Sequence, residues 1–190
     1  MSKQAQVLFL LGPSGVGKTT LGNALEKHLG MLHILFDGAS GGDGVDVAHL
    51  RTEWNALLEA KNPQLLADEA RKRIRASGHT GVVISCPGGV MPAEDNRALP
   101  WHFSRLLLAK MEECGVRCVT LFGSLKLCCD AAVSRKDTSV TVEYWLQNNS
   151  NWHGFDARAF SNVVLEVFNS DGSRRDLLDL VGEIQERFLK

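Results

Sequence analysis

Eight residues near the start of the chain, Gly12-Pro13-Ser14-Gly15-Val16-Gly17-Lys18-Thr19, follow the spacing Gly-x4-Gly-Lys-Ser/Thr, and their flanks constrain the fold. The apolar run Val7-Leu8-Phe9-Leu10-Leu11 comes just before, and a helical pattern from Thr20 to Leu29 comes after. Strand, glycine-rich turn and helix is the context in which this spacing makes a phosphate-binding loop. Successive backbone N–H groups and the positive end of the helix then face an anion. The expected ligand is a nucleoside triphosphate with Mg²⁺, its phosphates wrapped by Gly12, Pro13, Ser14, Gly15, Val16, Gly17, Lys18, Thr19 and Thr20. The Lys18 ammonium would reach the β and γ phosphates, and the Thr19 hydroxyl would take a place on the metal.

The rest of the chain alternates strands with helices. Leu32 to Phe36 reads as a second strand ending at Asp37, followed by a loop with four glycines in seven residues, Gly38 to Gly44. Ala48 to Ala60 is helical in pattern. Another helix starts at Pro63 and stops near Ser77-Gly78. Val82-Val83-Ile84, β-branched and continuously apolar, suits a central strand buried on both faces. Phe103 to Cys114 predicts a helix, Val116 to Phe122 a strand, Leu125 to Ser134 a helix and Val163 to Phe168 the last strand. A final helix capped by Ser173 would carry Leu177, Leu180, Val181, Ile184 and Phe188 on one face. The expected fold is a three-layer α/β/α P-loop NTPase fold with a five-stranded parallel sheet in the order 2-3-1-4-5. A single domain over 1–190 is expected, with substrate-binding helices at about 45–78 and a lid at about 134–151.

Composition narrows the partners. A formal net charge of −1 gives no support to a nucleic-acid partner, and Arg71-Lys72-Arg73 with Arg75 reads as a solvated helix face. The five cysteines, Cys86, Cys114, Cys118, Cys128 and Cys129, are odd in number and lack a secretory context, which points to reduced thiols. The spread of Cys114, Cys118 and Cys128-Cys129 over a helix end, a strand and the next helix argues against zinc. No stretch is long and apolar enough to span a membrane or act as a signal peptide. The expectation is a cytoplasmic protein, a monomer or weak homodimer, that acts on a small molecule.

Ligands of an open α/β sheet gather at the carboxyl ends of its strands. That rule selects Asp37, the segment Ser85 to Gly89, Phe122 to Ser124 and the turn Asn169 to Gly172. Asp37 has two readings: it orients an acceptor hydroxyl and a magnesium water, or it closes the turn. Arg51 and Arg97 are candidate forks for an acceptor anion, and Gly88 and Gly89 allow close backbone approach. Arg135 or Lys136 is a candidate lid cation on the transferring phosphoryl group, and Arg158 is another that would close over the site. Asn169 would lie beside the base. The third strand ends in Ser85-Cys86 instead of the acidic residue common in phosphate-loop ATPases, and the guanine-reading Asn-Lys-x-Asp pattern is missing. Both points weigh against a motor, a transporter ATPase or a GTPase.

Taken together, the phosphate loop, Asp37, Val83-Ile84-Ser85-Cys86-Pro87-Gly88-Gly89-Val90 and Asn96-Arg97 resemble the shikimate kinase family, within the nucleoside monophosphate kinase-like small-molecule kinases. The resemblance implies phosphoryl transfer from ATP to a hydroxyl of a small anionic metabolite. Departures are specific: Ala39 stands where that family has a second aspartate, and Pro87-Gly88-Gly89 replaces a triple glycine. Thr52 follows Arg51 where that family sets its arginine beside a phenylalanine, and no Arg-Pro-Leu follows Arg135. Gluconate kinase-like and nucleotide kinase-like readings, and a nucleotide-binding relative without catalysis, therefore stay open.

Overall fold

The computed structural model describes residues 6–35, 62–86, 91–92, 102–103, 105–135, 140–149, 152 and 164–189. Strand β1 (Gln6–Leu11) runs into the glycine loop and helix α1 (Lys18–Leu29) leaves it. Then come β2 (Met31–Leu35), α2 (Pro63–Ser77) and β3 (Gly81–Ser85). The two-residue strands β4 (Met91–Pro92) and β5 (His102–Phe103) pair with each other, apart from the main sheet. Helix α3 (Arg105–Glu113), β6 (Val116–Phe122), α4 (Leu125–Val133), α5 (Val142–Asn149), β7 (Val164–Glu166) and α6 (Leu177–Phe188) complete the described elements.

The main sheet is parallel throughout, in the order β2-β3-β1-β6-β7. Counting only its five strands, this is the expected 2-3-1-4-5 order, and the fold is a three-layer α/β/α one of P-loop type. Both faces are covered, which is why the central strands read as unbroken apolar runs. On one face Phe9, Val82 and Ile84 pack with Ala67, Ala70 and Ile74 of α2 and Met111 of α3. On the other, Leu8, Leu10 and Val83 pack with Leu21 and Leu25 of α1, Trp145 of α5 and Ile184 of α6. The register sets Leu10 of β1 opposite Ser85 and Val119. The glycine loop therefore opens at the middle of the sheet's carboxyl edge.

Most boundaries follow local chemistry. Asn62 caps α2 by accepting from the N–H groups of Gln64 (3.1 Å) and Leu65 (3.2 Å), with Pro63 at the first helical position. Three expectations need correction. Helix α3 begins at Arg105, because Phe103 is drawn into β5. The last helix is capped by Asp176, whose carboxylate accepts from Leu178 (2.8 Å) and Asp179 (3.3 Å). Ser173 instead closes a turn onto Asp171, and the chain stays extended because Arg174 bridges to Phe168. Finally, Arg71 is not part of a solvated face: it bonds Asp68 (3.2 Å) and the Cys114 carbonyl at the end of α3. The helix expected over 48–60 lies outside the described residues. Among the described residues, no helix is long and apolar enough to cross a membrane.

Gly22 lies in the interior of α1, where glycine costs about 1 kcal/mol relative to alanine. The reason is His33 of β2, whose ring would stand 2.2 Å from a Cβ at that position. That ring is held at both ends, Nδ1 by Asn23 Oδ1 (2.7 Å) and Nε2 by Ser85 Oγ (2.9 Å), so it has little freedom to move aside. Gly22→Ala is therefore expected to lose about 1–3 kcal/mol of stability despite the gain in helix propensity. Urea unfolding measures it, and the loss should shrink in a His33→Ala background. A Gly22→Ala protein more stable than the parent would contradict this packing.

Candidate functional site

The site is built around an ammonium group in its own loop. Lys18 opens α1 and is buried, at 8% exposure, with Nζ donating to the carbonyls of Gly12 (2.8 Å) and Pro13 (3.0 Å). Two charge-assisted hydrogen bonds offset part of the cost of desolvating that charge. Gly12, Pro13, Ser14, Gly15, Val16 and Gly17 curve over it, and Thr19 and Thr20 follow with exposed side chains in the first turn of α1. The first N–H groups of a helix have no acceptor within it, so this end of α1 presents donors and a partial positive charge.

Gly15 has no substitute here. Its φ is +85°, and a Cβ would lie 1.9 Å from the Cys128 carbonyl of α4. The sulfur of Cys128 is no nucleophile: burial pushes its thiol up to about 11, against the pull of the nearby Arg174 and Lys18 charges.

Three side chains from the C-terminal third grip the loop from outside. Trp145, 1% exposed, donates Nε1–H to the Ser14 carbonyl (3.0 Å). Asn149 accepts from the Ser14 N–H (2.9 Å) and donates to the Trp145 carbonyl (2.9 Å). Arg174 forks onto the carbonyls of Val16 (3.0 Å) and Gly15 (2.7 Å), its guanidinium 4.8 Å from the Phe168 ring centroid. An open hollow of about 100 Å³ adjoins the loop, lined by Gly17, Thr20, Leu21, Val167, Arg174 and Leu177 among others.

The structure thus brings the nine expected loop residues, Gly12 through Thr20, into one cradle. Asn169 lies in the turn after β7, where its amide donates to Ser173 Oγ (2.9 Å) and more weakly to the Arg174 carbonyl (3.4 Å). Arg135 is exposed just past the end of α4. Asp37, Arg51, Gly88, Gly89, Arg97, Lys136 and Arg158 lie outside the described residues. Within the segment expected as a lid, 142–149 is a helix anchored to the loop. Of Tyr144, Trp145 and Leu146, read together as an apolar anchor, only Trp145 is buried. Arg174 and Asn149 were not legible as site residues, since their partners lie 135 to 159 positions away in the chain.

The carboxyl end of β3 carries the buried hydroxyl of Ser85, engaged by His33. Among the described residues no three His, Cys, Asp or Glu side chains gather as a metal site. Thr19, exposed and next to Lys18 in the chain, carries a hard oxygen donor of the kind Mg²⁺ accepts.

No protein-family model matches the chain. A curated relative, the Lon protease of Methanosarcina barkeri, is 30% identical over 112 residues, which is 53% of this chain and 14% of that protein. Among solved structures, a sugar kinase from Janibacter sp. HTCC2649 aligns with a TM-score of 0.54 at 15% identity, over 97% of this chain and 94% of that one. A shikimate kinase from Bacteroides thetaiotaomicron gives 0.52 at 18% identity, over 95% and 97%. A gluconokinase from Sinorhizobium meliloti 1021 gives 0.50 at 16%, over 95% and 90%. The fold resembles that of P-loop small-molecule kinases.

The Asn23–His33–Ser85 chain gives the stability of the fold a pH response. Burial lowers the His33 pKa from 6.5, with Glu26 pulling it partly back up. The folded protein thus binds this proton less readily than the unfolded chain. Stability is full above the unfolded value and falls as pH drops through it toward the lowered folded one. Urea midpoints taken from about pH 7.5 down to about pH 5 should fall more steeply for the parent than for His33→Gln. Superimposable pH profiles would contradict the assignment.

Proposed function

We propose that the chain is an ATP-dependent kinase that transfers the γ-phosphoryl group to a hydroxyl of a small, anionic metabolite. The observation that carries this reading is the buried Lys18 ammonium held across a glycine loop between the central strand and α1. A fold in common with sugar, shikimate and gluconate kinases supports it, and so do the sequence matches at Asp37, Gly88, Gly89 and Arg97.

In this reading the polyphosphate binds along Gly12 to Thr20, and Lys18 exchanges a carbonyl partner for β and γ phosphate oxygens. The base end of ATP occupies the hollow beside Gly17, Thr20 and Arg174, next to the turn that carries Asn169. Thr19 and Asp37 would hold Mg²⁺, which neutralises charge on the β and γ phosphates. Asp37 orients the acceptor hydroxyl for in-line attack and takes its proton as the new O–P bond forms and the bond to the bridging oxygen breaks. Arg51, Arg97 and Arg158 neutralise the acceptor's anionic groups, with Gly88 and Gly89 letting it approach. Arg135 faces the equatorial oxygens, where charge spreads in the transition state.

The test is acceptor-dependent ADP release across sugar acids, cyclitols, hydroxy acids and nucleoside monophosphates. At least one class should be phosphorylated. Lys18→Ala should lower that rate by about 10²-fold or more, the scale of losing a transition-state charge partner, and Asp37→Asn should lower it while leaving ADP binding intact. Unchanged turnover in Lys18→Ala would reject the kinase reading. Nucleotide binding with no transfer to any acceptor would instead favour a non-catalytic relative.

A further inference from the structure

We propose that Arg174 and Asn149 are positioning residues that set the glycine loop in its phosphate-binding shape before a nucleotide arrives. This rests on the nucleotide site proposed above and adds two residues that touch neither phosphate nor acceptor in it, although Arg174 also borders the hollow assigned to the base.

The argument is one of peptide geometry. Across a trans peptide the carbonyl of one residue and the N–H of the next point in opposite directions. Trp145 holds the Ser14 carbonyl outward, and Arg174 holds those of Gly15 and Val16. The N–H groups of Gly15, Val16 and Gly17 are thereby turned the other way. Val16 N–H makes a long bond to the Pro13 carbonyl (3.3 Å), so Gly15 and Gly17 supply the donors aimed at an anion. Without the grip, a loop with three glycines in six residues has ample freedom to turn carbonyl oxygens toward the same space. An oxygen turned inward would repel phosphate.

The two grips differ in how well they are set. Asn149 is 2% exposed, and its Nδ2–H bond to Trp145 fixes which end of the amide meets Ser14. Arg174 holds two adjacent carbonyls with one planar group, each terminal nitrogen donating to one of them. Its stacking on Phe168 keeps the guanidinium in line with the loop. Arg174 also places a second positive charge beside the site, felt together with that of Lys18 at Cys128.

The experiment compares wild type, Arg174→Met, Arg174→Lys and Asn149→Ala by calorimetric titration with ADP and with pyrophosphate. Each protein's melting temperature is measured alongside, and titrations are run well below it. Arg174→Met should weaken pyrophosphate, which has no base, by about tenfold or more, the scale of hydrogen bonds to a charged group, and ADP by at least as much. Arg174→Lys should recover part of that loss, and Asn149→Ala should weaken pyrophosphate as well. A purely structural role would lower the melting temperature and leave the affinities of the folded variants alone. Pyrophosphate affinities within twofold of wild type in folded Arg174→Met and Asn149→Ala overturn the proposal. If Arg174→Met does not fold, Arg174→Lys and Asn149→Ala decide the matter. Wild type that binds neither ligand removes the nucleotide reading itself, and this proposal with it.

Discussion

A buried ammonium bonded to two backbone carbonyls of its own loop is the constraint around which this molecule is arranged. Lys18 is buried while it holds the carbonyls of Gly12 and Pro13, and a charge so placed tolerates little slack. The loop must be narrow, so it needs glycine where α4 crosses it at Cys128. It must also be anchored, and β1 supplies the anchor from the centre of the sheet, paired on both sides. A partner that offers more negative charge than two carbonyls is the natural occupant of such a cradle.

The sheet explains why distant parts of the chain serve this one loop. With β1 in the middle, the loop opens where helices on the α1 face converge. α4, α5 and the turn before α6 all reach it, although they follow it by more than a hundred residues. His33 of β2, Asn23 of α1 and Ser85 at the end of β3 form a second polar group, joined through the His33 ring. The site is therefore a property of the whole sheet edge.

How much of this could be read from the sequence depended on the range of the interactions. The loop, the central strands and α6 were legible because glycine spacing, β-branched runs and an apolar stripe are local signals. The parallel sheet followed from the alternation of elements, and its order from the fold that the glycine loop implies. Ser173 misled as a cap because the bridge between Phe168 and Arg174, a tertiary contact, keeps that turn extended. Phe103 was drawn from the helical pattern into a short strand by a partner at Met91–Pro92. Arg174 and Asn149 carried no local mark, since an arginine after a turn and an asparagine at a helix end are commonplace. Arg71 looked like one of several solvated cations, yet its guanidinium reaches the end of another helix.

The most direct test of the account is the amide spectrum of the isotopically labelled protein during titration with ADP. Gly15, Gly17 and Lys18 N–H protons should move downfield as they take phosphate acceptors, while the amides of β1 and β6 stay in place because the cradle is already formed. Saturating ADP that leaves those three signals unmoved, or that shifts signals throughout the sheet, would contradict a preformed phosphate site at this loop.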